Sequence, residues 1–125
     1  MPILNIFFTK ISAEREQRIG NVKVSARLNL KDPEESELKI ENKKVLVFPF
    51  EFELDYEKNA KIILAGYLNY AEEKKRAEEI LKGWKKEKEL SKLIFNFILT
   101  KCNLKALLIE DQLGLPYHLP MPKLK

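Results

Sequence analysis

Residues 45–54, VLVFPFEFEL, decide the fold. Leu46, Phe48, Phe50, Phe52 and Leu54 fall on one side of this run, and Val45, Val47, Pro49, Glu51 and Glu53 on the other. Apolar side chains recurring every second residue mark a β-strand with one face turned to a core. Pro49 has no N–H to give to a ladder, so its presence predicts an edge strand or a bulge at that point. Three phenylalanines on one face require a cover, which the rest of the chain must supply.

Upstream the same period continues. Residues 38–54 read as one strand. The acidic Asp-Pro segment KDPEESE before it reads as a loop. VKVSARLNL, 22–30, alternates cleanly, with Val22, Val24, Ala26, Leu28 and Leu30 in phase, and the Gly-Asn signal at 20–21 precedes it as a turn. LNIFFTKI, 4–11, places Leu4, Ile6 and Phe8 on one face and Phe7 and Ile11 on the other, so both faces of this strand look covered. Downstream, KIILAGYLNY, 61–70, supplies a fourth strand, weakened locally by Gly66.

Beyond residue 70 the period changes to that of a helix. Ala77, Ile80, Leu81 and Trp84 recur at helical spacing, and Gly83 is expected to interrupt or end this helix. A longer helix follows, on which Leu90, Leu93, Ile94, Phe97, Ile98, Leu104, Leu107 and Leu108 recur at three- and four-residue steps. Phe95, Leu99, Ala106 and Ile109 lie off that stripe, so more than one side of this helix carries apolar surface. Gly114 is its expected stop.

Strands first and helices after, without βαβ alternation, predict a single α+β domain over 1–125: a four-stranded antiparallel sheet at about 3–70, two C-terminal helices at about 71–113 packed on one face, and an extended proline-rich tail at 114–125. A chain of 125 residues suits one core. With 45% hydrophobic residues it has the apolar surface to fold. Charged residues make up 34%, lysines and glutamates interleaved for a net charge of +4, the ion-pair-rich surface common in proteins from hot environments. No run approaches the roughly 18 apolar residues of a membrane helix, the N-terminal residues carry no secretory pattern, and the lone Cys102 forms no internal disulfide. The expected setting is the cytoplasm.

Catalytic constellations are thin. His118 is the only histidine, and a Cys102/His118 pair is the one nucleophile-base arrangement the sequence offers; at helical spacing Cys102 reads instead as a small buried hydrophobe. One Cys and one His cannot complete a zinc shell, and Glu72/Glu73 and Glu78/Glu79 read as solvated pairs among lysines. The glycines at 20, 66, 83 and 114 stand singly and form no phosphate cradle. The expectation is a protein that is not an enzyme and uses no metal or cofactor. A basic cluster with an aromatic, Trp84, Lys85, Lys86 and Lys88, offers an alternative role as a nucleic-acid-associated module, with alternating glutamates cancelling much of its potential.

The tail, LGLPYHLPMPKLK, holds prolines 116, 120 and 122, which keep it extended and short of donors. It reads either as a strap over the chain's own helices or as part of an apolar groove for another chain. Here the sequence resembles the SecB-like family of export and stress chaperones, whose small α+β domain ends in a long helix and a loop of the form Phe-Pro-Pro-Leu-x-Leu-x-Pro. Leu115 stands at the family's Phe, Pro116 at its first proline, Leu119 at an apolar position of the loop and Pro122 at its closing proline. Two departures stand out: the net charge is positive where the export chaperones are acidic, and Lys123 follows the closing proline where the family has an aliphatic residue. The resemblance implies ATP-independent binding of unfolded or partner polypeptides by a homo-oligomer, dimer or tetramer, without carrying over the export pathway. The groove is then expected from apolar residues left after the core is filled: Phe7, Ile11, Val45, Val47, Phe95, Leu99, Leu115, Tyr117, Leu119 and Met121.

Overall fold

A computed structural model describes residues 3–18 and 20–119. Ile19, beside the predicted turn, and Pro120, Met121, Pro122 and Lys123 of the tail lie outside the described residues. The elements run β1 (Ile3–Arg15), β2 (Ser25–Leu30), β3 (Glu34–Ile40), β4 (Lys43–Asp55), β5 (Ala60–Glu73), α1 (Lys74–Lys82), a single 3-10 turn at Trp84–Lys86, and α2 (Lys88–Leu113).

The class is α+β, with five strands where the sequence pattern suggested four. Residues 38–54 are split by a turn at Glu41 and Asn42, in which Glu41 takes a left-handed φ of 54°. KDPEESE is only partly a loop, because β3 begins at Glu34. The strand order is β1-β5-β4-β2, with β3 also paired to β4, and every pairing is antiparallel.

β4 is therefore interior and not at an edge, and Pro49 needs no bulge. Its carbonyl accepts from Lys31 N–H at 2.9 Å, so the polar atoms of this residue face the side shared by β2 and β3. β3 ends its pairing there at Val47, and β2 begins at Phe50. The missing N–H thus falls opposite the 31–33 connection, where no ladder bond is required.

The inward face of β4 behaves as its period demands: Leu46, Phe48, Phe52 and Leu54 are fully buried and Phe50 nearly so. β5 matches it with Ile62, Leu64 and Leu68. Ile80 of α1 and Ile94, Ile98, Cys102 and Ala106 of α2 close the same core, and Trp84 packs 5.0 Å from Phe48 between ring centroids. Gly83 ends α1, and Gly114, in the left-handed region at φ 64°, ends α2 while Leu115 N–H returns to Glu110 O at 2.8 Å.

β1 breaks its alternation twice, between Ile3 and Asn5 and between Phe8 and Lys10. The second bulge turns Ile11 to the helix side, in line with Leu64, away from the face of Phe7. At the same place β1 crosses β5 so closely that a Cβ on Gly66 would stand 2.0 Å from the Phe7 carbonyl oxygen. Gly66, a weak point for strand propensity, is what permits the approach.

Candidate functional site

Two features stand apart from the core. The first is the outer face of the sheet. Phe7, Tyr67 and Pro49 form one row across β1, β5 and β4, with the Phe7 and Tyr67 rings 5.6 Å apart. Phe7 is 43% exposed. Val47 and Ala65, both half-buried, flank the row on the same face. Toward the other end the face becomes charged: Glu53 receives Lys61 Nζ at 2.7 Å and is also bonded by Arg27. Those cations, Lys61 first, hold the Glu53 carboxyl below the ordinary carboxylate range. An apolar patch beside a charged margin is thus built into one sheet face, next to β1, which forms the sheet's edge.

The second feature is a buried polar network that fastens the tail. Glu110, fully buried on α2, accepts the Tyr56 hydroxyl and, at 3.0 Å, the backbone N–H of His118 on one oxygen. Its other oxygen receives His118 Nδ1 at 2.8 Å. His118 Nε2 lies 2.9 Å from Asn103 Oδ1, and the ring packs against Phe52. Arg15, at the end of β1, donates to the carbonyls of Leu113 and Gly114 at 2.6 and 3.2 Å, closing the start of the tail. Among the described residues no buried side-chain polar atom lacks a partner, as interiors require. From Gly114 to His118 the described part of the tail is fastened to its own chain.

Burial, and after it the Glu110 carboxylate, pushes the Tyr56 phenol up from its ordinary value near 10. A group whose folded value is raised contributes stability in full below its unfolded value and loses it as pH climbs above. The alkaline fall in the urea midpoint, measured from pH about 8.5 to pH about 11, should therefore be smaller in Tyr56→Phe than in the parent. Some fall persists in the variant, because Tyr70 and Tyr117 are shifted upward as well. An equal fall in both proteins would absolve Tyr56.

The sequence-predicted residues scatter over these features. Phe7 is on the outer face as expected, and Val47 lies on the same face across β5, on β4. Val45 shares that face but is fully buried, and Leu115 is 5% exposed within the core, so neither lines an open groove: both spend their apolar surface inside the subunit. Ile11 is exposed on the opposite side of the sheet. Phe95 and Leu99 are half-buried on α2, Leu99 against the core, while Tyr117 and Leu119 are exposed on the strap. The structure places Phe7 and Val47 on one partly exposed sheet face, two strands apart, and leaves the rest buried or elsewhere.

Trp84, Lys85, Lys88 and Phe95 border an open depression of about 460 Å³ whose wall also includes Asp32 and Glu87. Lys86 is exposed just outside it. Glu87 is gripped by Arg76 at 2.5 and 2.9 Å, so an anionic ligand there would meet a fixed carboxylate. Cys102 is fully buried, and burial pushes its thiol up to about 12, while both ring nitrogens of His118 are engaged by Glu110 and Asn103. A thiolate nucleophile with a free histidine base is not assembled. Among the described residues no helix is long and apolar enough to cross a membrane, and no group of three His, Cys, Asp or Glu converges as a metal set would.

Tyr67, Glu110, Asn103 and Tyr56 are the residues that sequence patterns missed. Tyr56 continues the inward phase of Phe52 and Leu54, and Glu110 interrupts an apolar helix stretch next to Ile109; those were the available signals. Fold and surface together define a small α+β domain with a partly exposed apolar patch on the outer face of its sheet. Compared with known proteins, the chain matches no family model and no curated sequence.

Proposed function

We propose that this chain is a non-enzymatic polypeptide-binding protein of the SecB-like kind, holding unfolded or partner chains as a homo-oligomer in the cytoplasm without ATP. The observation that carries the reading is the Phe7–Tyr67–Pro49 row on the outer sheet face, which begins on the edge strand β1 with Phe7 43% exposed. An extended client offers the two things this surface takes: a backbone to pair with a free strand edge, and alternate apolar side chains to lie over the aromatic row. The charged margin around Glu53, Arg27 and Lys61 keeps such a patch soluble. With Val45 and Leu115 both buried, the binding surface centres on Phe7, Val47 and Tyr67.

A denatured enzyme diluted into the protein without nucleotide should aggregate less, at fewer oligomers than client chains. Phe7→Glu, at an exposed site, should weaken client binding about tenfold or more with an unchanged urea midpoint, a loss on the scale of one buried aromatic anchor. No suppression together with no client binding defeats the proposal. The second reading, nucleic-acid association, rests on the depression at Trp84, Lys85 and Lys88. It predicts a steep loss of affinity between low and high salt, which binding to an apolar patch does not.

A further inference from the structure

α2 carries three exposed leucines that the core does not use. Leu93, Leu104 and Leu108 are 52%, 57% and 63% exposed, the last the most exposed large hydrophobic side chain among the described residues. With Phe97, which is half-buried and packs partly against the core, they form a stripe along one side of the helix, and the three leucines turn away from the side that buries Ile94, Ile98, Cys102 and Ala106. The spacing within the stripe is symmetric: Leu93 and Phe97 stand as far before the point between Thr100 and Lys101 as Leu108 and Leu104 stand after it. That point is also the midpoint of Lys88–Leu113.

We infer that a second copy of this chain occupies the stripe, its α2 running antiparallel to the first about a two-fold axis between Thr100 and Lys101. In that register Leu93 meets the other copy's Leu108 and Phe97 its Leu104, so each of these four side chains finds an apolar counterpart. A two-fold interface must be complementary to itself, and a palindromic stripe has this property. Because the axis bisects the helix, the two α2 helices overlap along their full 26 residues, a seam of about 39 Å. A different protein docking here would have no need of the palindrome, nor of its coincidence with the helix centre.

One charge opposes the pairing. Lys101 sits at the rim near the axis and meets its own symmetry mate; its ammonium leans over the Phe97 ring, 5.8 Å from the centroid. Screening this repulsion should tighten the association as salt rises from about 50 to about 500 mM. The seam leaves the outer sheet face free and goes beyond the proposed client binding, which addresses a separate surface.

Light scattering on the full chain is expected to show an even-numbered assembly, and Leu104→Lys to halve its mass while keeping the parent's circular dichroism and client binding. In an oxidising buffer the Leu93→Cys/Leu108→Cys double variant should form covalent dimers, and Leu93→Cys alone should not. Cys102, fully buried, stays out of the exchange. A monomeric parent, a mass indifferent to Leu104→Lys, cross-linking by Leu93→Cys alone, or association weakened by salt would each overturn the pairing. Loss of client binding in Phe7→Glu at unchanged mass, against loss of mass in Leu104→Lys at unchanged client binding, separates the two surfaces.

Discussion

Replacing Gly66 by alanine should lower stability by about 3 kcal/mol or more, the upper range of over-packing penalties. The new methyl group would lie 2.0 Å from the carbonyl oxygen of Phe7 and 2.9 Å from Phe7 C and Phe8 Cα. All three are backbone atoms, so no side chain can swing aside, and relief requires β1 to part from β5. For a domain of this size the loss corresponds to a melting point lower by roughly 10 °C or more, against a total stability of about 5–15 kcal/mol. Gly20→Ala is the control: nothing lies within 4 Å of its added carbon, and a change within about 0.5 kcal/mol is expected. Urea midpoints of the two variants measure the contrast; equal midpoints would mean that the strands do not approach as described.

Glu110→Ala should be comparably severe, by another route. The side chain is fully buried and serves the Tyr56 hydroxyl, the His118 backbone N–H and the His118 ring at once. Its removal strands three buried donors, and breaking a buried pair of this kind typically costs about 3–5 kcal/mol. The damage should be directional, because His118 belongs to the strap. Limited proteolysis is expected to gain a cleavage site within 114–119 in Glu110→Ala before the rest of the domain opens. Glu110→Gln, which keeps an acceptor oxygen while losing the charge, should fall between parent and alanine. Cleavage as slow as in the parent, at an unchanged urea midpoint, would show that Glu110 does not fasten the tail.

These positions also show what period and propensity can reveal. The buried face of β4 was legible because period two repeats five times without interruption, and the fully buried side chains follow it. The helix ends at Gly83 and Gly114 were legible because single glycines punctuate helical spacing. The division between β3 and β4 was hidden, since the turn residue with positive φ is Glu41, a residue type that gives no such signal. The register of β1 was hidden too, because a bulge reverses which face Ile11 occupies without altering composition. Pro49 misled for a related reason: proline excludes one hydrogen bond, and only the tertiary arrangement shows that two successive partner strands leave that bond vacant. The polar network joins residues from β4's end, two turns of α2 and the tail, and no local pattern spans such distances. At the candidate site, Phe7 and Val47 were found from leftover hydrophobicity, whereas Tyr67 needed the pairing register to place it beside them.

The partner of β1 is the last strand of the sheet, not the next one along: Ile3 is matched to Tyr70 and Arg15 to Ala60. On a ribosome the first strand emerges well before the one that completes it. Through that interval Phe7 and its neighbours are held in reserve by a nascent chain, and closure is a long-range step of the slow kind. The protein's own birth thus passes through an exposed, unmatched strand, the very sort of segment that its finished sheet is proposed to receive from others.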